Sequence, residues 1–290
     1  MQFIQHTEAE DFLTATQSML EQDEAANNLM LGIATRLHNQ PERIKTAPYL
    51  ATVSDGVDVL TAALMTPPNK LVVYADHDAA TNQAALTRIA DDLLARQWPV
   101  PGVIGPSQAS DHFLEIWRAR AGATLGRVVR ERIYKLTQVT WPPAPSGHFR
   151  VATLDDLDTI AAWTQAFAAE ALHQTQSADD ARNDARFRIH HGDIFVWDDA
   201  GLVSCACRAR PTRTGISIGF VYTPPQQRGH GYASACVAAL SQHCLNADRQ
   251  FCMLFTDLSN PTSNSIYQKM GYQPVCDFNE YAFAESVLTE

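Results

Sequence analysis

The spacing of apolar positions changes repeatedly along the chain, and these changes predict two similar series of elements. In the second half, alternating apolar residues predict strands at 148–152, 194–197, 201–209, 216–222, 251–256 and 272–283. Apolar residues at helical spacing predict helices at 154–169, 179–189, 229–246 and 261–270. The predicted order is therefore strand, two helices, three strands, helix, strand, helix and strand.

The first half predicts the same order. Its strands are predicted at 2–5, 49–53, 57–65, 71–75, 102–105 and 127–139, and its helices at 8–21, 24–38, 82–97 and 107–121. The segment 141–147, which contains three prolines and a glycine, separates the two series. We therefore predict an α/β (α+β) fold with domains at 1–139 and 148–290 and a linker at 140–147.

Composition limits the classes of function. The chain of 290 residues has 46% hydrophobic and 19% charged residues, as in a globular protein of two domains. Its formal net charge of -10 argues against a nucleic-acid surface and mildly favours an amine-bearing substrate. The six cysteines lack the spacing of a zinc site, so we expect no metal. With no secretory signal or membrane-spanning run in view, we expect a cytoplasmic protein that does not bind membranes.

The most informative motif lies between a predicted strand and a predicted helix. Gln226, Arg228, Gly229, His230 and Gly231 fall in the order Q-x-R-G-H-G. Glycines let a backbone approach an anion closely, and the unpaired N–H groups at a helix N-terminus bind phosphate. The motif predicts a site for a pyrophosphate-bearing ligand, in which His230 contributes its backbone amide.

A second motif follows at 260–272 and reads N-P-T-S-N-S-I-Y-Q-K-M-G-Y. Together with 221–233, it resembles the GNAT superfamily of acyl-CoA-dependent N-acyltransferases. The resemblance implies two GNAT-like domains, each with a mixed, mostly antiparallel sheet flanked by helices, and acetyl-CoA as the acyl donor. It also implies an N-acetyltransferase that moves an acetyl group to a primary amine by direct attack in a ternary complex.

The resemblance also implies which residues bind the donor. They are Phe220, Val221, Tyr222, Thr223, Gln226, Gln227, Arg228, Gly229, His230, Gly231, Tyr232, Ala233, Asn260, Ser263, Asn264 and Tyr267. Asn260, Asn264 and Tyr267 have helical spacing, which predicts that they lie on one side of the helix. Gly219 in the predicted strand indicates a bulge or a close backbone approach.

Two residues are implied in catalysis. Tyr267 matches the tyrosine that protonates the departing thiolate, and a backbone N–H near Val221 would polarise the thioester carbonyl. The general base is not identified by the sequence, and a water relay would also serve. The candidate bases are Glu170, His173, His190 and Glu280.

The first half lacks the phosphate motif. The segment 76–82 matches the position of the glycine turn but has no glycine and two carboxylates, which would repel phosphate. We interpret this half as a degenerate GNAT-like domain, with an unrelated α/β domain as the alternative.

Three other interpretations of the whole chain stay open. One is a binding module that holds acetyl-CoA without turnover, and another is a tandem acetyltransferase resembling mycothiol synthase. A third, aminoacyl transfer from tRNA, needs a basic surface that the net charge does not support. The acceptor is expected to be a small-molecule amine or a peptide amine, and the protein a monomer or homodimer.

Overall fold

The computed structural model describes residues 1–44 and 46–284. The strands are β1 (Gln2–His6), β2 (Tyr49–Ser54), β3 (Val59–Met65), β4 (Leu71–Ala75), β5 (Gly102–Pro106), β6 (Leu125–Leu136), β7 (His148–Val151), β8 (Ile194–Asp198), β9 (Leu202–Ala209), β10 (Gly215–Tyr222), β11 (Phe251–Asp257) and β12 (Gln273–Phe283). The α-helices are α1 (Ala9–Leu20), α2 (Asn28–Asn39), α3 (Ala79–Ala95), α4 (Ser107–Ala121), α5 (Leu157–Phe167), α6 (Ala178–His190), α7 (Tyr232–Asn246) and α8 (Pro261–Lys269).

Contacts divide the chain into two compact units. The first contains 1–133, 256–260 and the described residues from 274 onward, and the second contains 134–255 and 261–273. The last strand, β12, pairs with β5 and so belongs mainly to the first unit. The sequence-based domain limits of 1–139 and 148–290 stay a prediction, because this grouping follows contacts and not chain order.

The first unit is a mixed sheet covered by helices on both faces. Its strand order is β1-β2-β3-β4-β5-β12-β6, with β4 and β5 parallel and the pairs β1–β2, β2–β3, β3–β4 and β5–β12 antiparallel. Tyr49 packs in a core with α3 and α4, whereas the next residue, Leu50, packs with α1 and α2. Successive side chains of a strand point to opposite faces, so one strand serves both cores.

The second unit has the same layered design. The last residues of β6 begin the order β6-β11-β10-β9-β8-β7, in which β10 and β11 are parallel and β7, β8, β9 and β10 are antiparallel neighbours. One core forms against α5 and α6, and the other against α7 and the end of α8. The predicted fold class, with mixed and mostly antiparallel sheets flanked by helices, is confirmed.

The predicted order of elements also agrees with the structure in both halves, and the differences lie at the ends of helices and strands. Helix α3 begins at Ala79, three residues before the predicted start, because the Asp78 side chain caps it. Helix α7 begins at Tyr232 and not at Gly229, so that prediction was wrong. Gly229 and Gly231 have φ angles of 85° and 84°, which a right-handed helix does not allow.

Candidate functional site

Strand β10 contains the bulge that Gly219 indicates. Its antiparallel register with β9 shifts between Gly219 and Tyr222, and Phe220 has a φ of 46°. Ile218 packs in the core on the α7 side, whereas Phe220 and Tyr222 pack in the core on the α5 and α6 side. Without a bulge, these three side chains would share one face of the sheet. The bulge therefore moves the side chains of Phe220 and Tyr222 to the opposite face from Ile218.

Beyond its first three residues, β10 has open space beside it. The parallel register described for β10 and β11 joins 215–217 to 251–253, while β10 continues to Tyr222 and β11 to Asp257. A Cβ atom added at Gly219 would meet no described atom within 4 Å. The C-terminal part of β10 thus extends beyond its described pairing with β11, and Gly219 has open space next to its Cα atom.

The phosphate motif forms a tight turn that leads into α7. A short 3-10 helix at Pro225–Gln227 precedes Arg228, and Gly229 and Gly231 then take left-handed φ angles. Gly231 is the N-cap of α7, and no side chain caps this helix. An uncapped helix N-terminus presents unpaired N–H groups, which suit an anion.

The corresponding turn of the first unit is closed by its own side chain. The Asp78 carboxylate accepts hydrogen bonds from the backbone N–H groups of Ala80 and Thr81, both at 3.1 Å, and from the Thr81 hydroxyl at 2.6 Å. These bonds lower the pKa of Asp78, led by the one from the Thr81 hydroxyl. The N-terminus of α3 therefore already holds an anion that belongs to the chain.

Arg228 forms a cluster with Glu170 and Tyr222 beside the turn. Its Nη2 lies 2.5 Å from Glu170 Oε2, its Nε donates to the Thr223 carbonyl at 3.0 Å, and the Tyr222 hydroxyl donates to Glu170 Oε1 at 2.9 Å. The hydrogen bond from Arg228 is the main cause of a lowered pKa at Glu170. A carboxylate of low basicity is a poor proton acceptor.

A π-helical segment at Ala168–Leu172 carries Glu170. It continues α5 and ends at His173, which has a φ of 52°. Segments with π geometry are rare and occur often at functional sites. In this chain, the segment brings Glu170 next to the phosphate turn.

The remaining candidate bases are engaged or exposed. His173 and His190 are both exposed, and the His190 ring lies 5.4 Å from that of His191. Glu280 belongs to the first unit, where it pairs with Lys70 at 3.2 Å. Among the residues that the structure describes, none of the four candidates has the geometry of an unpaired buried base.

Two residues of the motif use their side chains within the fold. The Tyr232 hydroxyl donates to Asp199 Oδ2 at 2.6 Å, and the Ser146 hydroxyl donates to the same oxygen at 2.6 Å. Nδ1 of His230 lies 3.3 Å from the Gln227 carbonyl, and its ring stacks on Tyr232 at 5.7 Å. The Tyr232 hydroxyl is therefore already engaged within the fold.

Two polar residues of helix α8 contact the hydroxyl of Tyr134. The buried Tyr134 hydroxyl donates to Asn264 Oδ1 at 3.1 Å and accepts from Gln268 Nε2 at 3.1 Å. Asn260 directly precedes the helix, the position expected of an N-cap, and Ser263 is partly buried. The side-chain oxygen of Asn264 is therefore already committed to Tyr134.

Tyr267 of α8 has a phenol with a raised pKa. Its ring packs against Tyr272 at 5.8 Å, and burial raises the pKa of Tyr267 to about 12. Within the described residues, its hydroxyl makes no hydrogen bond. The phenol therefore keeps its proton at neutral pH, and its O–H group can donate a hydrogen bond to a ligand.

The other predicted positions lie along the turn and the strand. Val221 is partly buried on the α7 side, and the Thr223 hydroxyl lies 2.8 Å from that of Ser204. Gln226 is exposed, whereas Gln227 and Ala233 are partly exposed.

Sequence reasoning missed Arg188. Its guanidinium carbon lies 5.4 Å from the centre of the Phe220 ring, and its Nη1 donates to Cys207 Sγ at 3.3 Å. Ala181, Ala185 and Arg188 have helical spacing, and both alanines are buried. An arginine on the core-facing side of a helix was the signal that could have revealed it.

Two features are absent from the described residues, 1–44 and 46–284. No group of three or more His, Cys, Asp or Glu side chains is placed to hold a metal ion. No helix there has the length and hydropathy needed to cross a bilayer.

Comparison with known proteins agrees with the geometry. Residues 201–282 match the family model described as FR47-like protein. A GNAT-family acetyltransferase from Colwellia psychrerythraea is 12% identical, with a TM-score of 0.62 over 98% of this chain and 100% of that one. A GCN5-related N-acetyltransferase from Sphaerobacter thermophilus is 14% identical, with a TM-score of 0.63 over 97% and 95%. No curated protein matches the chain.

A tandem protein is also among the similar structures. The tandem GNAT protein from the clavulanic acid biosynthesis pathway is 14% identical, with a TM-score of 0.59 over 97% of this chain and 98% of that one. The chain therefore has the tandem GNAT fold, and the resemblance found in its sequence motifs is confirmed.

Proposed function

We propose that the second half of the chain binds acetyl-CoA and transfers its acetyl group to a primary amine. The uncapped N-terminus of α7 carries this proposal. Two left-handed glycines, Gly229 and Gly231, turn the backbone into that helix, whereas Asp78 fills the equivalent position at α3. The contrast supports one phosphate site per chain, at 226–233.

The donor would lie along the opened end of β10. The pyrophosphate would accept hydrogen bonds from backbone N–H groups at 229–233, and the acyl-bearing arm would follow Phe220, Val221 and Tyr222. The space beside Gly219 supports this path, since the protein itself places no atom there. A backbone N–H near Val221 would stabilise the negative charge that develops on the carbonyl oxygen.

In the proposed reaction the amine nitrogen attacks the thioester carbonyl. The C–N bond forms, the C–S bond breaks, and the proton lost by the amine passes to water. Tyr267, with a pKa of about 12, is a weaker acid than an ordinary thiol with a pKa of about 8.5, so full transfer to a free thiolate would be uphill by roughly 5 kcal/mol. We therefore propose that Tyr267 donates a hydrogen bond to the sulfur while the C–S bond breaks.

The engagement of Glu170 by Arg228 favours a second function, acetyl-CoA binding without turnover. In that case, the site would hold the ligand but lack a base to activate the amine. Release of free CoA thiol in the presence of amines would separate the two functions, because only the transferase produces it.

The first experiment measures binding of acetyl-CoA and CoA by calorimetry and by thermal shift. We expect the ligands to stabilise the wild type, since a ligand that binds only the folded state raises its stability. Arg228→Glu combined with Gly229→Asp should abolish the shift. A matched control is Gly122→Asp, because Gly122 also has a left-handed φ and open space around it but lies in the first unit. No shift in the wild type at millimolar ligand would refute the proposal.

A further inference from the structure

Arg188 differs from the other arginines near the candidate site. Arg228, Arg150, Arg182 and Arg208 each form an ion pair with a carboxylate. Within the described part of the chain, Arg188 makes no such pair; its guanidinium donates to Cys207 Sγ and lies over the Phe220 ring. The Asp184 carboxylate, one turn earlier in α6, attracts the guanidinium without forming an ion pair and accepts a hydrogen bond from Gln176 Nε2 at 2.8 Å. A neutral thiol is a weak hydrogen-bond acceptor, so neither the thiol nor the ring in contact with the guanidinium carries a full negative charge.

The thiol of Cys207 is neutral for a physical reason. Burial raises the pKa of Cys207 above its ordinary value, although the nearby Arg188 opposes this shift. The sulfur also points its proton toward the Arg208 carbonyl at 3.2 Å. Cys207 therefore does not supply a counter-charge for the guanidinium.

The position of Arg188 would suit an apolar residue. It follows Ala181 and Ala185 on the core-facing side of α6, where Ile189 is also buried. A partly buried cation without a paired anion is costly in a folded protein. An arginine at this position suggests a function, because a methionine would fill the same space without the free-energy cost of burying a charge.

The contacts of Arg188 place it beside the bulge of β10, next to the proposed reaction centre. It lies over Phe220, which directly precedes Val221, and the Phe167 ring of α5 packs edge-on against Phe220 at 5.2 Å. Phe220 packs on the α5 and α6 side, and the preceding Gly219 borders the open space proposed for the donor. Arg188 is thus placed beside the bulge and not beside the phosphate turn.

We propose that Arg188 binds a carboxylate of the acceptor, so that the preferred substrates are primary amines that carry a carboxylate, such as amino acids. A guanidinium matches a carboxylate with two parallel hydrogen bonds, and the low-dielectric setting strengthens them. The aromatic rings of Phe167 and Phe220 would accommodate the apolar part of such an acceptor. This inference rests on the proposed acetyltransferase function.

The test compares amino acids with their carboxamides and with the corresponding amines that lack a carboxylate. The three compounds share a side chain and a primary amine, so the carboxylate is the variable. We expect kcat/KM for thiol release to be at least tenfold higher for the amino acids. In Arg188→Met this preference should disappear, while Arg186→Met should retain it, because Arg186 is an exposed residue of the same helix.

Binding supplies a second readout. With CoA present, calorimetry should show that N-acetylated amino acids bind the wild type at least tenfold more tightly than Arg188→Met. Equal rates for amino acids and carboxamides, a preference that survives in Arg188→Met, or no binding of any carboxylate would each overturn the assignment. Failure of the proposed function itself is distinguishable, because acetyl-CoA binding to the wild type would then be absent.

Discussion

Arg228 and Glu170 form an ion pair, with 2.5 Å between Nη2 and Oε2, directly beside the glycine turn proposed to bind pyrophosphate. Both side chains are substantially exposed, so the pair contributes little to stability. Its consequence is electrostatic, because Glu170 places a negative charge near the anion site and engages the cation that would attract the ligand. Glu170 should therefore oppose donor binding.

Replacing Glu170 tests this arrangement. Glu170→Gln removes the negative charge and releases Arg228, so we expect the Kd for acetyl-CoA to fall about two- to fivefold, in line with a surface charge effect of about 0.5–1 kcal/mol. Calorimetry at two salt concentrations measures the effect, which should be smaller at high salt.

The same variant tests the alternative role of Glu170. A general base at this position would make Glu170→Gln lose about 10²- to 10⁴-fold in kcat, whatever its effect on donor binding. Unchanged or tighter donor binding with near-normal kcat would show that Glu170 is not the base. Weaker donor binding would contradict the electrostatic argument.

Tyr267→Phe should lower turnover while leaving the fold intact. The Tyr267 hydroxyl has no hydrogen-bond partner within the described residues, so its removal should change the free energy of unfolding by less than about 0.5 kcal/mol. If the hydroxyl donates to the departing sulfur, kcat should fall about 10- to 100-fold. The Kd for CoA should stay within about twofold of the wild type.

Tyr272→Phe is the matched control for this experiment. The Tyr272 hydroxyl is fully buried and lies 2.8 Å from the Ser241 hydroxyl. Its loss should cost about 1–2 kcal/mol of unfolding free energy without a specific loss of kcat. A Tyr267→Phe enzyme with unchanged kcat would exclude the donor role.

Much of the fold was predictable because its patterns are local. Alternation and helical spacing identify the elements of both halves, and Gly271, with a φ of 100°, ends α8 as expected. The pairing of β12 with β5 could not be predicted in this way. Strand pairing depends on contacts between distant segments, and strands of similar pattern in the two halves compete for each neighbour.

The site was predictable in its backbone and less so in its side chains. The glycines at 229 and 231 specify a turn that other residues adopt only with strain, so the sequence alone identifies it. The contact between Asn264 and Tyr134 joins residues that are 130 positions apart and depends on packing. Likewise, the contact of Glu170 with Arg228 depends on the π geometry of 168–172, for which no sequence signal is available.

Asp156 provides a prediction of pH dependence. Arg150 donates to both of its carboxylate oxygens, at 2.7 Å and 2.9 Å, and this pairing is the main cause of a lowered pKa at Asp156. The folded-state pKa lies below the unfolded value of about 3.9, so the pair stabilises the protein above that pH. The stabilisation is lost as the pH falls through the folded-state pKa.

Asp156→Asn should accordingly lower the unfolding free energy at pH 7 by about 2 kcal/mol, because Arg150 remains partly buried without one of its partners. Urea unfolding at several pH values should show that the difference from the wild type narrows below about pH 4. The exposed neighbour gives a control, since Asp155→Asn should have little effect. A difference that is constant with pH would contradict the argument.

Gly219 offers a way to test whether the space beside β10 belongs to the donor. A Cβ added there meets no described atom within 4 Å, and valine is favoured in strands, so Gly219→Val should not reduce stability. If the acyl-bearing arm occupies that space, the new side chain should raise the Kd for acetyl-CoA at least tenfold. Calorimetry and thermal unfolding of the same samples measure both quantities.

Gly215, in the same strand, is the matched control for this variant. A Cβ at Gly215 would lie 2.3 Å from atoms of the Phe251 ring, so Gly215→Ala should destabilise the second unit by about 1–3 kcal/mol. Because this clash lies inside the paired part of β10 and β11, donor affinity of the folded protein should change little. Unchanged acetyl-CoA affinity in Gly219→Val would show that the donor does not follow the end of β10.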